Sequence, residues 1–174
     1  MLAWEYPPQV VGGLGRHVAD LSEALVGLGH EVHVLTGDAP GASSRETLNG
    51  VNVHRLKMYG PAGRDFVESV THLNVNMLEA VLGLVRQGYT FDIVHGHDWL
   101  AAYAGKALKH GLMRPLVATI HATEFGRNHG LHNDLQRHIS NLEWWLTYEA
   151  WNVICCSEYM RGEIRYIFQV PVDK

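Results

Sequence analysis

Cysteine is almost missing from this chain: there are two in 174 residues, and they are neighbours, Cys155 and Cys156. Adjacent cysteines rarely bridge, so a disulfide scaffold is excluded and nothing points to an oxidising compartment. Long apolar runs are missing too, and none could span a bilayer. The start, Met1 followed by Trp4, Glu5 and two prolines, has neither the n- and h-regions of a signal peptide nor the character of a transit peptide. Basic residues are few and scattered, 14 Lys and Arg against 18 Asp and Glu, so neither a nucleic acid nor an anionic membrane is an expected partner. No internal repeat is present, and no Gly-x-Ser-x-Gly elbow for a hydrolytic triad. The expectation left is one soluble, cytoplasmic domain over residues 1–174, whose 47% hydrophobic content supports a real core.

What is present begins with glycine. Glu5-Tyr6-Pro7-Pro8 leads into Gly12-Gly13-Leu14-Gly15, and Val18, Leu21, Leu25 and Leu28 then recur at helical spacing as one apolar stripe. A glycine-rich loop at a helix N-terminus places unpaired N–H groups and the positive end of the helix dipole at one point, which suits a phosphate. Alternatively, the glycines serve only a tight turn and close helix–sheet packing. Gly29 fits the left-handed position that closes the helix. Strands are expected at 31–36, 51–56, 91–95, 116–120 and 152–156, with a polar loop at 37–44. Helices are expected from Phe66 to near Gly88, at 101–110 ended by Gly111, within 135–148 and at 158–168. The alternation predicts an α/β fold, doubly wound, with a mostly parallel sheet and helices on both faces.

Ligands in such sheets bind beyond the C-terminal ends of the strands, which draws attention to His95-Gly96-His97-Asp98-Trp99 and to His121-Ala122-Thr123-Glu124. His95, His97, Asp98 and His121 lack the ligand spacing of a zinc site, so no metal is expected. Asp98 suits either a ligand or the cap of the helix that follows. Trp99 offers a ring face to a sugar or packs under its loop. His121 is either a ligand contact or a structural histidine bonded to backbone. Asp38, at the end of the second strand, imitates the ribose-binding acid of a dinucleotide fold and keeps a stand-alone dinucleotide-binding module open as an alternative.

Glu5-Tyr6-Pro7-Pro8 with Gly12-Gly13-Leu14-Gly15, then His97-Asp98-Trp99, then Thr119-Ile120-His121 with Thr123-Glu124-Phe125-Gly126-Arg127, resembles the N-terminal domain of glycogen and starch synthases. Those enzymes and their relatives are retaining glycosyltransferases of the B fold, built from two Rossmann-like domains. The resemblance implies transfer of glucose from ADP- or UDP-glucose to an α-1,4-glucan, with no further cofactor. It implies that Gly12 and Gly13 meet the donor diphosphate, that His121 and Asp98 serve the transferred sugar as catalytic residues, and that Glu5 and Trp99 lie at the sugar and acceptor. It also implies a nucleotide-binding C-terminal domain as partner, absent after Lys174, without which the chain is inactive. Two positions depart from the pattern. Val10 stands where many starch synthases carry lysine, and Ala122 where several relatives carry asparagine. Both leave room for a sucrose-, trehalose- or mannoside-forming transferase.

Overall fold

Valine-rich segments at 32–34 and 51–53 favour extended backbone, and they form adjacent strands. A computed structural model of the chain describes residues 1–57 and 65–174. They form two compact units, Met1–Thr90 and Phe91–Lys174. Both are α/β, with parallel strands covered by helices, the class that the alternation predicts.

In the first unit, β1 (His33–Gly37) and β3 (Val51–Leu56) pair in parallel, and β2 (Arg45–Leu48) adds an antiparallel edge. The N-terminal residues extend the sheet on the other side of β1. Ala3 N–H donates to the Leu35 carbonyl, and Leu35 N–H donates to that of Met1. Val34 and Leu35 are both buried although neighbours in a strand point to opposite faces, so β1 is covered on each side. Helix α1 (Gly13–Gly27) packs on β3, with Val18 joining Val34, Val51 and Val53 in one cluster. Helix α2 (Phe66–Arg86) lies against β1 and β3 and buries Val70, Leu73, Met77, Val81 and Leu84.

The hairpin β2–β3 begins directly after the expected polar stretch at 37–44, and its first strand is one the sequence pattern does not predict. Its turn is Asn49-Gly50, both at positive φ (48° and 83°), the dipeptide that a two-residue hairpin favours. Two ends of the expected stripes lie outside the core. Leu28, the C-cap residue of α1, is 76% exposed, and Phe66, the first residue of α2, is 51% exposed. Terminal turns overhang the sheet, so periodicity alone overextends the buried face. Gly29, at φ 90°, does follow the cap as expected.

In the second unit, β4 (Val94–His97), β5 (Leu116–Ile120) and β6 (Asn152–Cys155) are parallel in that order. β4 starts three residues later than its apolar run suggests and continues through Gly96 to His97. Gly96 sits 3.6 Å from the Ala101 side chain, measured from an added Cβ, so the strand stays tucked under the chain that follows it. That chain is a short 3-10 turn, Trp99–Ala101, leading into α3 (Ala102–Leu112). Gly111 lies inside α3 rather than at its end. The left-handed residue is Met113 (φ 53°), two before Pro115, which cannot extend a helix. A short helix α4 (Glu124–Asn128), α5 (Asp134–Glu149) and α6 (Glu158–Phe168) complete the unit. Thr123, Asn133 and Ser157 cap these three helices, accepting from the N–H groups of Gly126, Gln136 and Met160. Among the described residues, no helix is long and apolar enough to cross a membrane.

Candidate functional site

Helix α1 opens without a side-chain cap from its N-cap residue, Gly12. Glu5 takes that task from ten residues upstream of Gly15. Its buried carboxylate accepts the N–H groups of Val11 (2.7 Å), Gly12 (3.2 Å) and Gly15 (2.9 Å). A negative charge thus sits at the positive end of the helix dipole and folds the loop around itself. The carboxylate that the resemblance puts beside an acceptor is bound up inside the loop.

The glycines divide into two kinds. A Cβ on Gly15 would lie 3.1 Å from Glu5 Cγ and 3.2 Å from Val10 Cγ2, so Gly15 is required for Glu5 to approach. Around Gly12 and Gly13 an added Cβ would meet nothing within 4 Å, and neither has positive φ. Both are exposed. Neither packing nor backbone conformation therefore demands glycine at 12 or 13, and what their smallness provides is bare backbone at a helix N-terminus. With the Gly12 N–H bonded to Glu5, the N–H groups of Gly13 and Leu14 are those left without a partner among the described residues. Asp38, at the end of β1, accepts the N–H of Ala39 at 3.1 Å and is otherwise exposed.

The second unit gathers His121, Asp98 and Trp99 through strand register. His97 lies opposite Thr119 on β5, which brings the ends of β4 and β5 side by side. His97 Nδ1 is 3.2 Å from His121 Nε2, and His95 Nε2 is 2.7 Å from the Thr119 hydroxyl. His95 and His97, two apart on one strand face, stack with ring centroids 4.3 Å apart. His121 is half-buried, and its Nδ1 faces the sulfur of Cys156 at 3.9 Å.

Asp98 does not cap the following helix, for its side chain makes no capping bond. It turns the other way. Its φ of 57° is a strained value for a residue with a Cβ, and it aims the carboxylate at β5, where it accepts the His121 N–H at 2.7 Å. Burial pushes the Asp98 acid up to about 6, against the opposing pull of the His121 N–H, Arg127 and the Ala122 N–H. Arg127 of α4 stands 3.7 Å from it. Asp98 therefore fixes the backbone that carries His121. Trp99 is 2% exposed and presents no open ring face, which matches the packing alternative.

Residues 11–174 match the profile of Glycosyltransferase Family 4. The chain belongs to that family. It is 39% identical over its whole length to an uncharacterized glycosyltransferase of Methanocaldococcus jannaschii, of which it covers 43%. It is also 39% identical over 97% of its length to a glycogen synthase of Mycobacterium tuberculosis, of which it covers 44%. The chain thus spans less than half the length of these relatives. Among solved structures, the sucrose-phosphate synthase of Thermosynechococcus elongatus superposes with a TM-score of 0.76 at 21% identity, over 95% of this chain and 44% of that one, which shows a shared fold.

Sequence reasoning passed over the acidic shell that supports this family member's His121 segment. Glu143 of α5, 1% exposed, accepts the Glu124 N–H at the start of α4 with both oxygens, at 2.8 and 3.0 Å. Burial, with Asp98 nearby, pushes its acid up to about 8. Glu163 of α6 accepts the Thr123 hydroxyl, holding the same turn from the other side. One signal was available for Glu143. It sits among Ile139, Leu142 and Leu146 on the buried stripe of α5, where an unpaired charge would be costly.

Proposed function

We propose that this chain is the acceptor-side part of a retaining glucosyltransferase of the glycogen and starch synthase kind, acting with a nucleotide-binding domain of the sort its longer relatives have room for. Transfer runs from ADP- or UDP-glucose to the end of an α-1,4-glucan. The observation that carries this reading is the 39% identity to a glycogen synthase across 97% of the chain. The start of α1 supports it independently, since glycine at 12 and 13 has no use in packing and the N–H groups of Gly13 and Leu14 suit a diphosphate.

In this reading the open N–H groups at the start of α1 meet the diphosphate and offset the charge that grows as it leaves. His121 meets the transferred glucose. Asp98 acts one bond further back, through the His121 N–H, and orients that contact. Glu5 serves by shaping the phosphate loop. No cofactor beyond the donor is invoked.

The test is glucosyl transfer in the two-domain form, with the isolated chain as control. Transfer to maltooligosaccharide from ADP- or UDP-glucose is expected, and His121→Ala lowers it by a factor of at least 100 while the fold is kept. Transfer to some other acceptor with none to glucan would refute the glucan reading. Full activity in His121→Ala would remove that residue from the site.

A further inference from the structure

A buried guanidinium stands beside the turn that leads into the loop of α1. Register places Arg55 of β3 opposite Thr36 of β1, and alternation along both strands puts the two side chains on the face that carries Val34 and Val53. Arg55 is 2% exposed. The Thr36 hydroxyl is an acceptor on the adjoining strand, yet it and Arg55 Nε are both buried without a hydrogen-bond partner among the described residues. The guanidinium is directed elsewhere. Its Nη2 donates to the Pro7 carbonyl at 2.5 Å, and its Nη1 to the Ser43 carbonyl at 3.1 Å and to the Glu46 carboxylate.

Stability does not account for this arrangement. A guanidinium taken out of water with one N–H unsatisfied, paired with a Glu46 side chain still 29% exposed, gains little over an apolar side chain of similar length. An apolar side chain, however, could not hold Pro7. Pro7 and Pro8 form the turn between Tyr6 and Gln9, which face each other across an antiparallel bridge. Tyr6 is tied to α1 by its hydroxyl, 3.3 Å from that of Ser22. Beyond the turn, Val11, Gly12 and Gly13 are exposed, so their course is set by what grips the loop: Glu5 from inside, and Arg55 through the turn.

We propose that Arg55 is a positioning residue for the diphosphate, which by holding the Pro7 carbonyl sets the course of the loop and the direction of the Gly13 and Leu14 N–H groups. The inference rests on reading the start of α1 as a diphosphate site and adds to that site a residue 48 positions from the turn it holds. Through Ser43 and Glu46, the same guanidinium ties the edge strand β2 to the loop.

The experiment titrates the full chain with inorganic pyrophosphate, follows the Gly13 and Leu14 amides by NMR, and sets each affinity beside a urea unfolding curve. Two variants are expected to part in opposite directions. Arg55→Met leaves Glu46 to hydrate and keeps the unfolding midpoint, while pyrophosphate binds about ten-fold more weakly, the worth of about one hydrogen bond. Glu46→Gln leaves Arg55 on Pro7 but removes the charge that offsets it, so the midpoint falls while the affinity stays within about two-fold of wild type. Unchanged affinity in Arg55→Met, or affinity that follows stability in both variants, would overturn the proposal. So would a mirror-image pair, weaker in Arg55→Met and equally tighter in Glu46→Gln, which reduces the effect to charge alone. Pyrophosphate that moves no loop amide in the wild type overturns the diphosphate reading beneath. Arg55 is then judged on the ligand-free chain, where ¹⁵N relaxation is expected to show residues 11–14 more mobile in Arg55→Met, and equal order in the two chains would overturn its hold on the loop.

Discussion

Glu5→Ala removes the carboxylate that ties the loop to α1, and the cost can be worked out bond by bond. Val11 and Gly12 are exposed, so their N–H groups regain water as partners, and losing the charge at the helix terminus there costs about 0.5 kcal/mol. Gly15 is buried, and among the described residues its N–H has only Glu5 as a partner, at 2.9 Å, so leaving it unsatisfied costs about 1–3 kcal/mol. The void left by the carboxylate adds a little more, and the sum is about 3 kcal/mol. With a urea m-value of roughly 2 kcal/mol per molar, the midpoint of the first unit's unfolding falls by about 1.5 M. Glu5→Gln separates charge from shape. It keeps an oxygen for Gly15 but turns an amide N–H toward a donor, so about half the loss is expected. Urea unfolding of both variants checks this. A Glu5→Ala shift under about 0.5 kcal/mol, small against the unsatisfied-donor cost, would refute the view that Glu5 organises the loop.

Gly12→Ala and Gly13→Ala are expected to leave the unfolding midpoint within about 0.5 kcal/mol of wild type, since their Cβ atoms meet nothing, while weakening nucleotide-sugar transfer at least ten-fold in the two-domain form. Gly126→Ala places a Cβ 2.6 Å from Glu163 Oε1, displaces that carboxylate from the Thr123 hydroxyl and costs about 1–2 kcal/mol, read by thermal unfolding. Glu143 gives a pH dependence. Its acid rises from an ordinary 4.5 to about 8 in the folded chain, so between those values the native state holds a proton that the unfolded state has released. Stability then falls as pH rises from about 5 to 8, and Glu143→Gln flattens the slope. Urea midpoints at three pH values across that window decide it, and an unchanged slope in the variant would sink the assignment.

The helices were legible because 3.6-residue periodicity is a local signal, and α6 (Glu158–Phe168), β3 (Val51–Leu56) and β5 (Leu116–Ile120) begin and end where their residues indicate. The hairpin was legible in principle, through Asn49-Gly50, but the polar stretch before it obscured a half-exposed edge strand. The site was legible only as an inventory of residue types. That His97 and His121 meet depends on the parallel register of β4 against β5, one specific alignment of two strands separated by α3. That Asp98 turns from its own helix to the next strand depends on a positive φ that its residue type does not announce.

The phosphate loop shows most clearly what sequence leaves unresolved. Gly12, Gly13 and Gly15 read alike, and the choice between a packing role and a ligand role was posed for all of them together. The structure divides them. Gly15 answers to Glu5, a contact across ten positions that only the folded loop reveals, whereas a Cβ at Gly12 or Gly13 would meet none of the described residues, although the Gly12 N–H also donates to Glu5. A glycine whose absence of side chain is unused by its own fold has its reason outside that fold. The same division makes the two kinds of variant opposite in effect: a methyl at 15 should destabilise the chain, whereas methyls at 12 and 13 should leave it folded and block what the exposed N–H groups receive. If stability and ligand binding fell together at all three positions, the loop would be a packing device throughout, and its claim on a diphosphate would fail with it.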